Sequence, residues 1–259
     1  MKKKLIVLSM ALLCLGACKT EKKEGSAQKE AAQAETPSAS NGKQDNTLTE
    51  KERSEGWMLL FDGKTADGWR GFNAESLPDG WIVEEGTLKS LGRGGDIGGD
   101  IVYGKEPFGN FELSVEWKIA EGGNSGIFYH VQEGVQYEAP YFNAPEYQVI
   151  DQTGFPEKLE DWQSIGADYG MYTPDYEGAV KSSGTWNSTR ILFTPEKVTY
   201  WLNGKETVAF VPWSEDWKKR KNEGKWKDFP DYGKFRSGLI GLQDHGSFIW
   251  YKNIKIRKR

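Results

Sequence analysis

Residues 111–119 read FELSVEWKI, and apolar and polar side chains alternate along them with a period of two. In an extended chain the apolar set, from Phe111 to Ile119, projects to one face, and the polar set between them projects to the other. This alternation is typical of a strand that has one face in a core and the other face near solvent. We therefore predict a β-sheet around these residues.

Short strand-like runs broken by Gly, Asn, Asp and Pro continue on both sides of this stretch. Asn203-Gly204 lies between two of them and is the strongest hairpin signal in the chain, because both residue types accept positive φ. About ten closely spaced strands without an internal repeat predict an all-β jelly-roll sandwich. Residues 214–221, SEDWKKRK, interrupt the strand pattern. A serine N-cap, acids in the first turn and bases in the last predict a short helical insertion beside the sheet.

Composition and charge exclude several classes of protein. The chain has 259 residues, of which 13% are aromatic and 31 are glycine, and this argues against a helical bundle and against a disordered chain. The formal charge is −4, and it becomes about −7 (−4 − 3) once the three lysines at residues 2–4 are removed with a leader. We therefore expect no nucleic-acid surface. The sequence has no P-loop and no Gly-x-Gly-x-x-Gly motif, so we also expect no nucleotide cofactor.

Residues 1–18 have the pattern of a secretory leader. Three lysines precede an apolar run over residues 5–15, which is too short to span a bilayer. The run closes on LGAC, residues 15–18, which resembles the lipobox of bacterial lipoproteins and implies a lipid anchor at Cys18. Lys19 then favours the outer membrane, with the protein facing the periplasm or the cell surface. The folded domain of the mature chain would contain no cysteine, so neither disulfides nor thiol catalysis are expected.

Residues 19–55 are rich in Lys, Glu, Ala, Ser and Gln and contain almost no large apolar side chain. Such a segment cannot bury enough apolar surface to offset the entropy lost on ordering, and no 3.6-residue apolar stripe indicates a helix. We predict a flexible linker over residues 19–55 and one folded domain over residues 56–259.

Three strand-like segments carry polar side chains that a simple core does not need. They are NSGIFYH at residues 124–130, EYQVID at residues 146–151 and LQDHG at residues 242–246. By the two-residue period, Glu146 shares a face with Gln148, and Gln243 shares a face with His245. Asp151 joins the face of Glu146 only if a bulge or a strand end rotates it.

Acids, amides and imidazoles on neighbouring strands are typical of a carbohydrate site, because they bind hydroxyls and transfer protons. The long loop after Asp151 adds aromatic side chains that can wall a cleft: Trp162, Tyr169, Tyr172, Tyr176 and Trp186. We predict one cleft on the concave sheet that contains Glu146, Gln148, His245 and at least one of Asp151 and His130. The expected catalytic residues are Glu146, His245 and Asp151, and the expected substrate-binding residues are Asn124, His130, Gln148, Tyr172, Trp186 and Gln243.

The order and spacing of several motifs resemble those of the 3-keto-disaccharide hydrolase family. The motifs are LFDGK at residues 60–64, GW at 68–69, NSGIF at 124–128, EYQ at 146–148 with Asp151, WN at 186–187, LNG at 202–204, GLQDHG at 241–246 and NIKI at 253–256. The resemblance covers residues 56–258 and implies a concanavalin-like jelly roll. It also implies action on glycosides whose C3 hydroxyl has been oxidised to a ketone. The chain departs from the family at His130, where many relatives carry Arg.

The resemblance implies cleavage by elimination. A C3 ketone acidifies the C2 proton, so a base removes that proton, the C1 leaving group departs, and water adds back to the enone. Such a site needs a base near C2, an electrophile or divalent cation at the C3 oxygen and an acid near the glycosidic oxygen. Glu146 and His245 are the titratable candidates, with Asp151 and Asp244 behind them. Glu146, His245 and Asp244 are also the candidate ligands of a divalent metal ion, although no spacing motif marks a metal site.

Two other functions remain open. Glu146-x-x-x-x-Asp151 resembles the Glu-x-Asp-x-x-Glu strand of laminarinase-type enzymes, in which a bulge brings both carboxyls to one face for a retaining mechanism. This chain has Gln148 in place of the central Asp of that strand. The other alternative is a non-catalytic carbohydrate-binding module, a frequent use of this fold. A binding module does not need Glu146 and His245 to converge, so their positions discriminate between these functions.

Overall fold

The computed structural model describes residues 44–94 and 99–259. In this part of the chain the strands form two antiparallel sheets. The strands are Met58–Leu59 (β1), Trp69–Gly71 (β2), Trp81–Glu84 (β3), Thr87–Leu91 (β4), Ile101–Tyr103 (β5), Phe111–Ile119 (β6), Asn124–Val131 (β7), Glu146–Ile150 (β8), Asn187–Phe193 (β9), Val198–Leu202 (β10), Lys205–Phe210 (β11), Leu239–Leu242 (β12) and Phe248–Lys258 (β13). The helices are Glu50–Ser54 (α1) and Glu215–Glu223 (α2), with 3₁₀ turns at Pro140–Phe142 and Asp161–Gln163.

The two sheets pack around a core rich in aromatic side chains. The eight-stranded sheet has the order β11-β10-β9-β6-β13-β4-β3, with β1 paired to β13, and the five-stranded sheet has the order β2-β5-β12-β7-β8. The alternation in residues 111–119 is confirmed in β6, where the apolar side chains are buried while Ser114, Glu116 and Lys118 are only partly buried. The predicted all-β jelly-roll sandwich is confirmed by these two antiparallel sheets.

Strand β7 lies between β12 and β8, so the three polar segments singled out in the sequence are neighbours, as predicted. Gly126 pairs with Gln148, and Phe128 pairs with Glu146, across β7 and β8. On the other side of β7, the backbone N–H of Gln243 donates to the carbonyl of Gly126 (3.0 Å) just beyond the end of β12. This strand order places the polar side chains of all three segments at one region of the five-stranded sheet.

The predicted helical insertion is confirmed as α2. The Ser214 hydroxyl caps it by accepting from the backbone N–H of Trp217 (3.2 Å). Trp217 stacks on Tyr232 with ring centroids 6.5 Å apart, and Tyr232 stacks on Trp226 at 4.2 Å. The indole N–H of Trp226 donates to the carbonyl of Tyr169 (2.8 Å). The insertion is therefore a cluster of stacked aromatic side chains that is hydrogen-bonded to the loop after β8.

The predicted extent of the flexible linker, to residue 55, is wrong. Residues 44–55 are folded against β13. The backbone N–H of Asn46 donates to Oδ1 of Asn253 (2.6 Å), and the backbone N–H of Asn253 donates to Oδ1 of Asn46 (2.8 Å). Helix α1 begins with a capping box. Hydrogen bonds between polar groups, rather than buried apolar side chains, hold residues 44–55 in place. The lack of large apolar residues in this segment was therefore a poor guide to whether it folds.

Residues 1–43 and 95–98 lie outside the described residues. The signal peptide, the lipid anchor at Cys18 and the first part of the linker therefore stay predictions. Within the described part of the chain, no helix is long and apolar enough to cross a membrane.

Candidate active site

A cavity of about 370 Å³ opens beside β7 and β8. Its lining residues are Asn124, Tyr141, Glu146, Gln148, Tyr169, Lys225, Trp226, Phe229, Gln243 and His245. The predicted convergence of Glu146, Gln148 and His245 is confirmed, and Asn124 and Gln243 lie in the same cavity. Small-molecule sites span roughly 300–1,000 Å³, so this volume suits a single sugar ring.

The Glu146 side chain lies over Gly126 of the neighbouring strand. A Cβ built on Gly126 would overlap the carboxyl group of Glu146. Glycine at this position therefore provides the space that the carboxyl occupies, which explains its presence in the NSGIF motif. The adjacent Ser125 hydroxyl donates to the carbonyl of Gln243 (2.7 Å) and ties the motif to the segment that carries His245.

The carboxyl group of Glu146 is largely withdrawn from water, since the residue is only 4% exposed. Burial raises the pKa of Glu146 well above its usual range, and Asp100 raises it further when ionised, whereas the Lys225 ammonium acts in the opposite direction. Burial therefore favours the protonated form of this carboxyl. In that form the carboxyl is a hydrogen-bond donor.

One residue that lines the same cavity, Gln243, carries a buried acceptor without a partner among the described residues. Gln243 is 7% exposed, and Oε1 of its side chain has no hydrogen-bond partner among the described residues. A buried acceptor in this state costs free energy unless water or a ligand donates to it. A sugar hydroxyl supplies such a donor. Beside it, Nε2 of Gln148 donates to Oδ1 of Asn124 (3.4 Å), so the two amides form one polar strip.

Aromatic rings and an ammonium group wall the cavity. Nζ of Lys225 lies 5.2 Å from the ring centroid of Tyr169 and 5.3 Å from that of Trp226. Tyr141 and Phe229 extend the wall, with ring centroids 6.0 Å apart. Of these residues, only Tyr169 was predicted from the sequence as a wall of the cleft. The signal that marks Lys225, Trp226 and Phe229 is the alternation of lysine and aromatic residues in KWKDF, which directly follows α2 and its terminal glycine. Tyr141 lies outside that segment, in the 3₁₀ turn Pro140–Phe142.

His130 lies outside this cavity, so its prediction as a substrate-binding residue is wrong. Its φ of 59° interrupts the two-residue alternation of β7, and its ring lies in the core with its centroid 4.4 Å from that of Phe193. The residue is 2% exposed, and burial lowers its pKa to about 4. Its Nε2–H donates to the carbonyl of Gly109 (2.9 Å). His130 is therefore a neutral core residue.

Asp151 does not line the cavity either, and its predicted place beside Glu146 is wrong. Its carboxyl group accepts from the backbone N–H groups of Gly122 (3.0 Å) and Gly154 (3.1 Å). Asp151 follows the last residue of β8 and holds two loops together there. Glu146 and Asp151 therefore do not form the facing pair that a retaining glycosidase needs.

The predicted metal ligands do not form a ligand group. Asp244 is fully buried, and its carboxyl accepts from the backbone N–H groups of Arg93 (3.1 Å), Gly94 (2.8 Å) and Gly246 (3.1 Å). Within residues 44–94 and 99–259, no three His, Cys, Asp or Glu side chains converge closely enough to hold a metal ion. The described residues therefore do not fit the predicted divalent cation.

Of the other aromatic residues predicted as cleft walls, Trp162 lines a neighbouring cavity, whereas Tyr172, Tyr176 and Trp186 do not line this one. The Tyr172 ring stacks on Phe210 with centroids 4.4 Å apart, and its hydroxyl donates to Oδ2 of Asp216 (2.8 Å), so it supports α2. Nζ of Lys252 lies 4.4 Å from the ring centroid of Trp186, on the face of the eight-stranded sheet that points away from the core. Their prediction as residues of the substrate cleft is therefore wrong.

Comparison with known proteins supports a glycoside-acting enzyme. The family model described as the 3-keto-alpha-glucoside-1,2-lyase-like domain matches residues 56–257. A relative from Bacteroides thetaiotaomicron, named 3-keto-disaccharide hydrolase, is 32% identical, and the alignment covers 94% of this chain and 93% of the relative.

Two crystal structures from Parabacteroides distasonis, each provisionally described as a glycosyl hydrolase, have the same fold. The first is 44% identical with a TM-score of 0.78, and the match covers 83% of this chain and all (100%) of the other. The second is 26% identical with a TM-score of 0.60, and the match covers 78% of this chain and 99% of the other.

Proposed function

The chain belongs to the 3-keto-alpha-glucoside-1,2-lyase-like family, and from this premise we propose that it cleaves glycosides whose C3 hydroxyl has been oxidised to a ketone. One observation carries the proposal: the buried Glu146 carboxyl, with its raised pKa, shares a sugar-sized cavity with the His245 imidazole and the Lys225 ammonium. The name of the Bacteroides relative supports the same substrate class.

The proposed reaction begins with removal of the C2 proton. The electron pair of the C2–H bond moves toward C3, and the C3 carbonyl oxygen takes the negative charge of an enolate. The pair then returns to form the C1–C2 double bond while the C1–O bond breaks, and the leaving oxygen takes a proton. Water finally adds its hydroxyl to C1 and a proton to C2, so the net change is hydrolysis.

Each step has a matching group in the cavity. His245 is the proposed base at C2, because a neutral imidazole accepts a proton near neutral pH. Protonated Glu146 is the proposed donor to the C3 oxygen, where it stabilises the enolate as other neutral carboxylic acids do in apolar sites. Lys225 is the proposed donor to the leaving oxygen. This assignment gives Glu146 the electrophilic role for which a divalent cation was the alternative.

The polar strip and the rings bind the sugar in this proposal. Oε1 of Gln243 accepts from a sugar hydroxyl, which satisfies the acceptor that is otherwise unpaired. Gln148 and Asn124 offer further amide groups, and the faces of Tyr169 and Trp226 contact the C–H surface of the ring. Aromatic and amide groups around one buried carboxyl are the usual composition of a small polar-ligand site.

The test is incubation with a 3-keto-glucoside and with its unoxidised parent, each with and without a chelator. We expect aglycone release from the keto substrate alone, with no effect of the chelator. Release from the parent alone would refute the proposal. Loss of activity with chelator would restore the metal ion as the electrophile.

A C2-deuterated keto substrate tests the elimination itself. The C2 bond must break, so we expect a primary isotope effect or loss of deuterium to solvent. Displacement by a carboxylate nucleophile does not touch that bond. Full retention of deuterium in the product would therefore contradict elimination.

We also propose that the mature protein is anchored to the outer membrane through a lipid on Cys18. The support is the LGAC sequence and the charged leader. Cys18→Ser should move the protein from the membrane fraction of expressing cells to the soluble fraction or leave its precursor uncleaved. A variant that is processed and sediments with membranes as the wild type does would contradict the anchor.

A further inference from the structure

A row of lysine and tryptophan side chains crosses the outer face of the eight-stranded sheet. Trp250 of β13 pairs with Lys89 of β4 on one side and with Lys118 of β6 on the other. Trp186 directly precedes β9, which pairs with β6 up to Trp117, so Trp186 continues the row beyond Lys118. This outer row has no role in the chemistry proposed above, because the candidate active site lies beside β7 and β8 of the other sheet.

Ammonium groups hold the aromatic rings of the outer row in place. Nζ of Lys118 lies 4.5 Å from the ring centroid of Trp250 and 5.4 Å from that of Trp186. Nζ of Lys89 lies 5.3 Å from the Trp250 centroid, and Phe248 stacks on Trp250 with ring centroids 6.3 Å apart. Such cation–π contacts restrict the rings, so their arrangement is already built in the free protein.

The rings of this face are accessible from solvent and regularly spaced. Phe248 is 49% exposed, and Trp186 and Trp250 are only partly buried. The solvent face of an antiparallel sheet usually carries polar side chains, and neighbouring aromatic rings there indicate an interaction surface. Because one strand lies between them, Trp250 and Trp186 are about 10 Å apart, twice the separation of neighbouring strands. Alternate sugar rings of an extended, β-linked glucan are separated by a similar distance.

Polar groups that can bind sugar hydroxyls flank the two tryptophans. A cavity of about 200 Å³ on this face is lined by Trp186 and Trp250, and Glu85 and Thr87 contribute a carboxylate and a hydroxyl to it. The Lys118 ammonium, which also lines this cavity, adds a hydrogen-bond donor between the rings. The face therefore combines flat aromatic surfaces with donors and acceptors, as recognition of a sugar chain requires.

The charges of this face indicate a neutral ligand. Nζ of Lys252 donates to Oδ2 of Asp45 (2.7 Å) and lies 3.8 Å from Oε2 of Glu116. Nζ of Lys89 donates to Oε2 of Glu84 (2.6 Å). Carboxylates therefore offset these two ammonium groups, which disfavours a polyanion and an anionic membrane surface as the partner.

We propose that the outer row is a second, non-catalytic site that binds an extended, neutral polysaccharide. Sugar rings of the chain lie flat on Trp250 and Trp186, and the flanking polar groups bind their hydroxyls. The candidate active site lies on the other sheet, so the protein can hold the polymer while the catalytic cavity stays open to substrate. The inference does not depend on the reaction proposed above.

The test is affinity electrophoresis of the purified protein in native gels that contain hydroxyethyl cellulose, a soluble and neutral β-linked glucan derivative. We expect the polymer to retard the wild type. Trp250→Ala and Trp186→Ala should each weaken the affinity roughly tenfold, which corresponds to about 1.4 kcal/mol. Trp201→Ala is the matched control, because Trp201 lies on the outer face of the same sheet, outside the row, with the Arg190 guanidinium 3.6 Å from its ring centroid.

Several results would overturn the proposal. They are a wild type that the polymer does not retard, unchanged binding in both row variants, and an equal loss in Trp201→Ala. Retention by chondroitin sulfate, or by vesicles of phosphatidylethanolamine and phosphatidylglycerol, in place of the neutral polymer would also overturn it. Thermal melts verify folding, and Trp186→Ala keeps the test valid if Trp250→Ala does not fold, because Trp186 lies outside the strands. The readout needs no turnover, so failure of the proposed reaction does not affect it.

Discussion

Two substitutions of Glu146 separate hydrogen-bond donation from proton transfer. Glu146→Gln keeps the shape of the side chain and keeps an N–H donor, whereas Glu146→Leu keeps most of the volume and removes the donor. Neither side chain has more non-hydrogen atoms than glutamate, so we expect both to be accommodated over Gly126, where the carboxyl now lies. The pair therefore changes the chemistry at this position while the packing stays close to that of the wild type.

The expected magnitudes follow from the role assigned to the carboxyl. Removing one donor to a developing oxyanion costs about 10²–10³ in kcat, or roughly 2.7–4 kcal/mol. Glu146 is 4% exposed, so water does not readily replace the lost hydrogen bond, and we expect Glu146→Leu to show this full loss. Glu146→Gln should lose only about tenfold, or ~1.4 kcal/mol, because an amide is a weaker donor than a carboxylic acid.

The assay is kcat/KM with a 3-keto-disaccharide from about pH 5 to about pH 10, with thermal melts to verify folding. Because the pKa of Glu146 is raised, wild-type activity should persist below that pKa and fall as the pH rises through it, when the ionised carboxylate stops donating and repels the enolate. Glu146→Gln should lack this alkaline limb. Equal losses of 10² or more in both variants would refute hydrogen-bond donation and indicate proton transfer by Glu146.

Four further outcomes are expected. His245→Ala should lower kcat by about 10²–10⁴ with little change in KM, as loss of a general base does, and a loss seen only in KM would refute that role. Lys225→Met should slow a keto-disaccharide more than an aryl keto-glucoside, whose phenolate departs without a proton. It should also move the alkaline limb to higher pH, because the ammonium lowers the pKa of Glu146, and an unmoved limb would contradict this coupling. Burial raises the pKa of Asp168 to about 8 from its ordinary 3.8, so this carboxyl destabilises the fold increasingly as the pH rises between these two values. Asp168→Asn should therefore raise Tm at about pH 8 and leave Tm near the wild-type value at about pH 4. The same Tm gain at both pH values would show that the charge of Asp168 is not the cause. Asn46→Ala should lower the free energy of unfolding by about 1–3 kcal/mol in urea denaturation, because it leaves the buried backbone N–H of Asn253 unpaired. An unchanged midpoint would mean that residues 44–55 contribute little to stability.

The fold was predictable because it depends on a repeated local pattern. The alternation in residues 111–119 recurs in β6, and Asn203-Gly204 has φ values of 51° and 88° at the turn between β10 and β11, as a hairpin of this type requires. The helix after Ser214 was predictable for the same reason, since its cap and its charges lie within one short segment. Family membership followed from the order of motifs along residues 56–258, and the family match over residues 56–257 confirms it.

The floor of the candidate site was predictable, but its walls were not. Glu146 and Gln148 lie on β8, and His245 follows β12 on the other side of β7, so the two-residue period and the expected proximity of these strands placed them together. Lys225 and Trp226 come from an insertion that reaches the cavity through stacking on Tyr232, and no local pattern encodes that tertiary contact.

His130 shows how a regular period fails, whereas Asp151 stays off the face of Glu146, as the period alone implies. The positive φ of His130 turns its ring into the core, and no feature of the surrounding sequence predicts this backbone conformation. Asp151 directly follows the end of β8, and its carboxyl group there accepts hydrogen bonds from the backbone N–H groups of Gly122 and Gly154. In both cases the backbone geometry, rather than the side-chain chemistry, decides whether a polar residue reaches the cavity.

The selectivity for an oxidised sugar follows from pairing donors with acceptors in this cavity. A ketone oxygen only accepts hydrogen bonds, and a neutral Glu146 offers it a donor, whereas Oε1 of Gln243 only accepts and needs a sugar hydroxyl. A sugar with a C3 hydroxyl could still accept from Glu146, so binding alone separates the two sugars weakly. The larger difference lies in the reaction, because the C2 proton is acidic only beside a ketone, and a donor at the C3 oxygen stabilises charge only if an enolate forms. We therefore expect the unoxidised parent to bind as an inhibitor, with an affinity close to that of the keto substrate, without being cleaved. An affinity lower by a factor of about 100 or more would mean that the cavity recognises the ketone in the ground state.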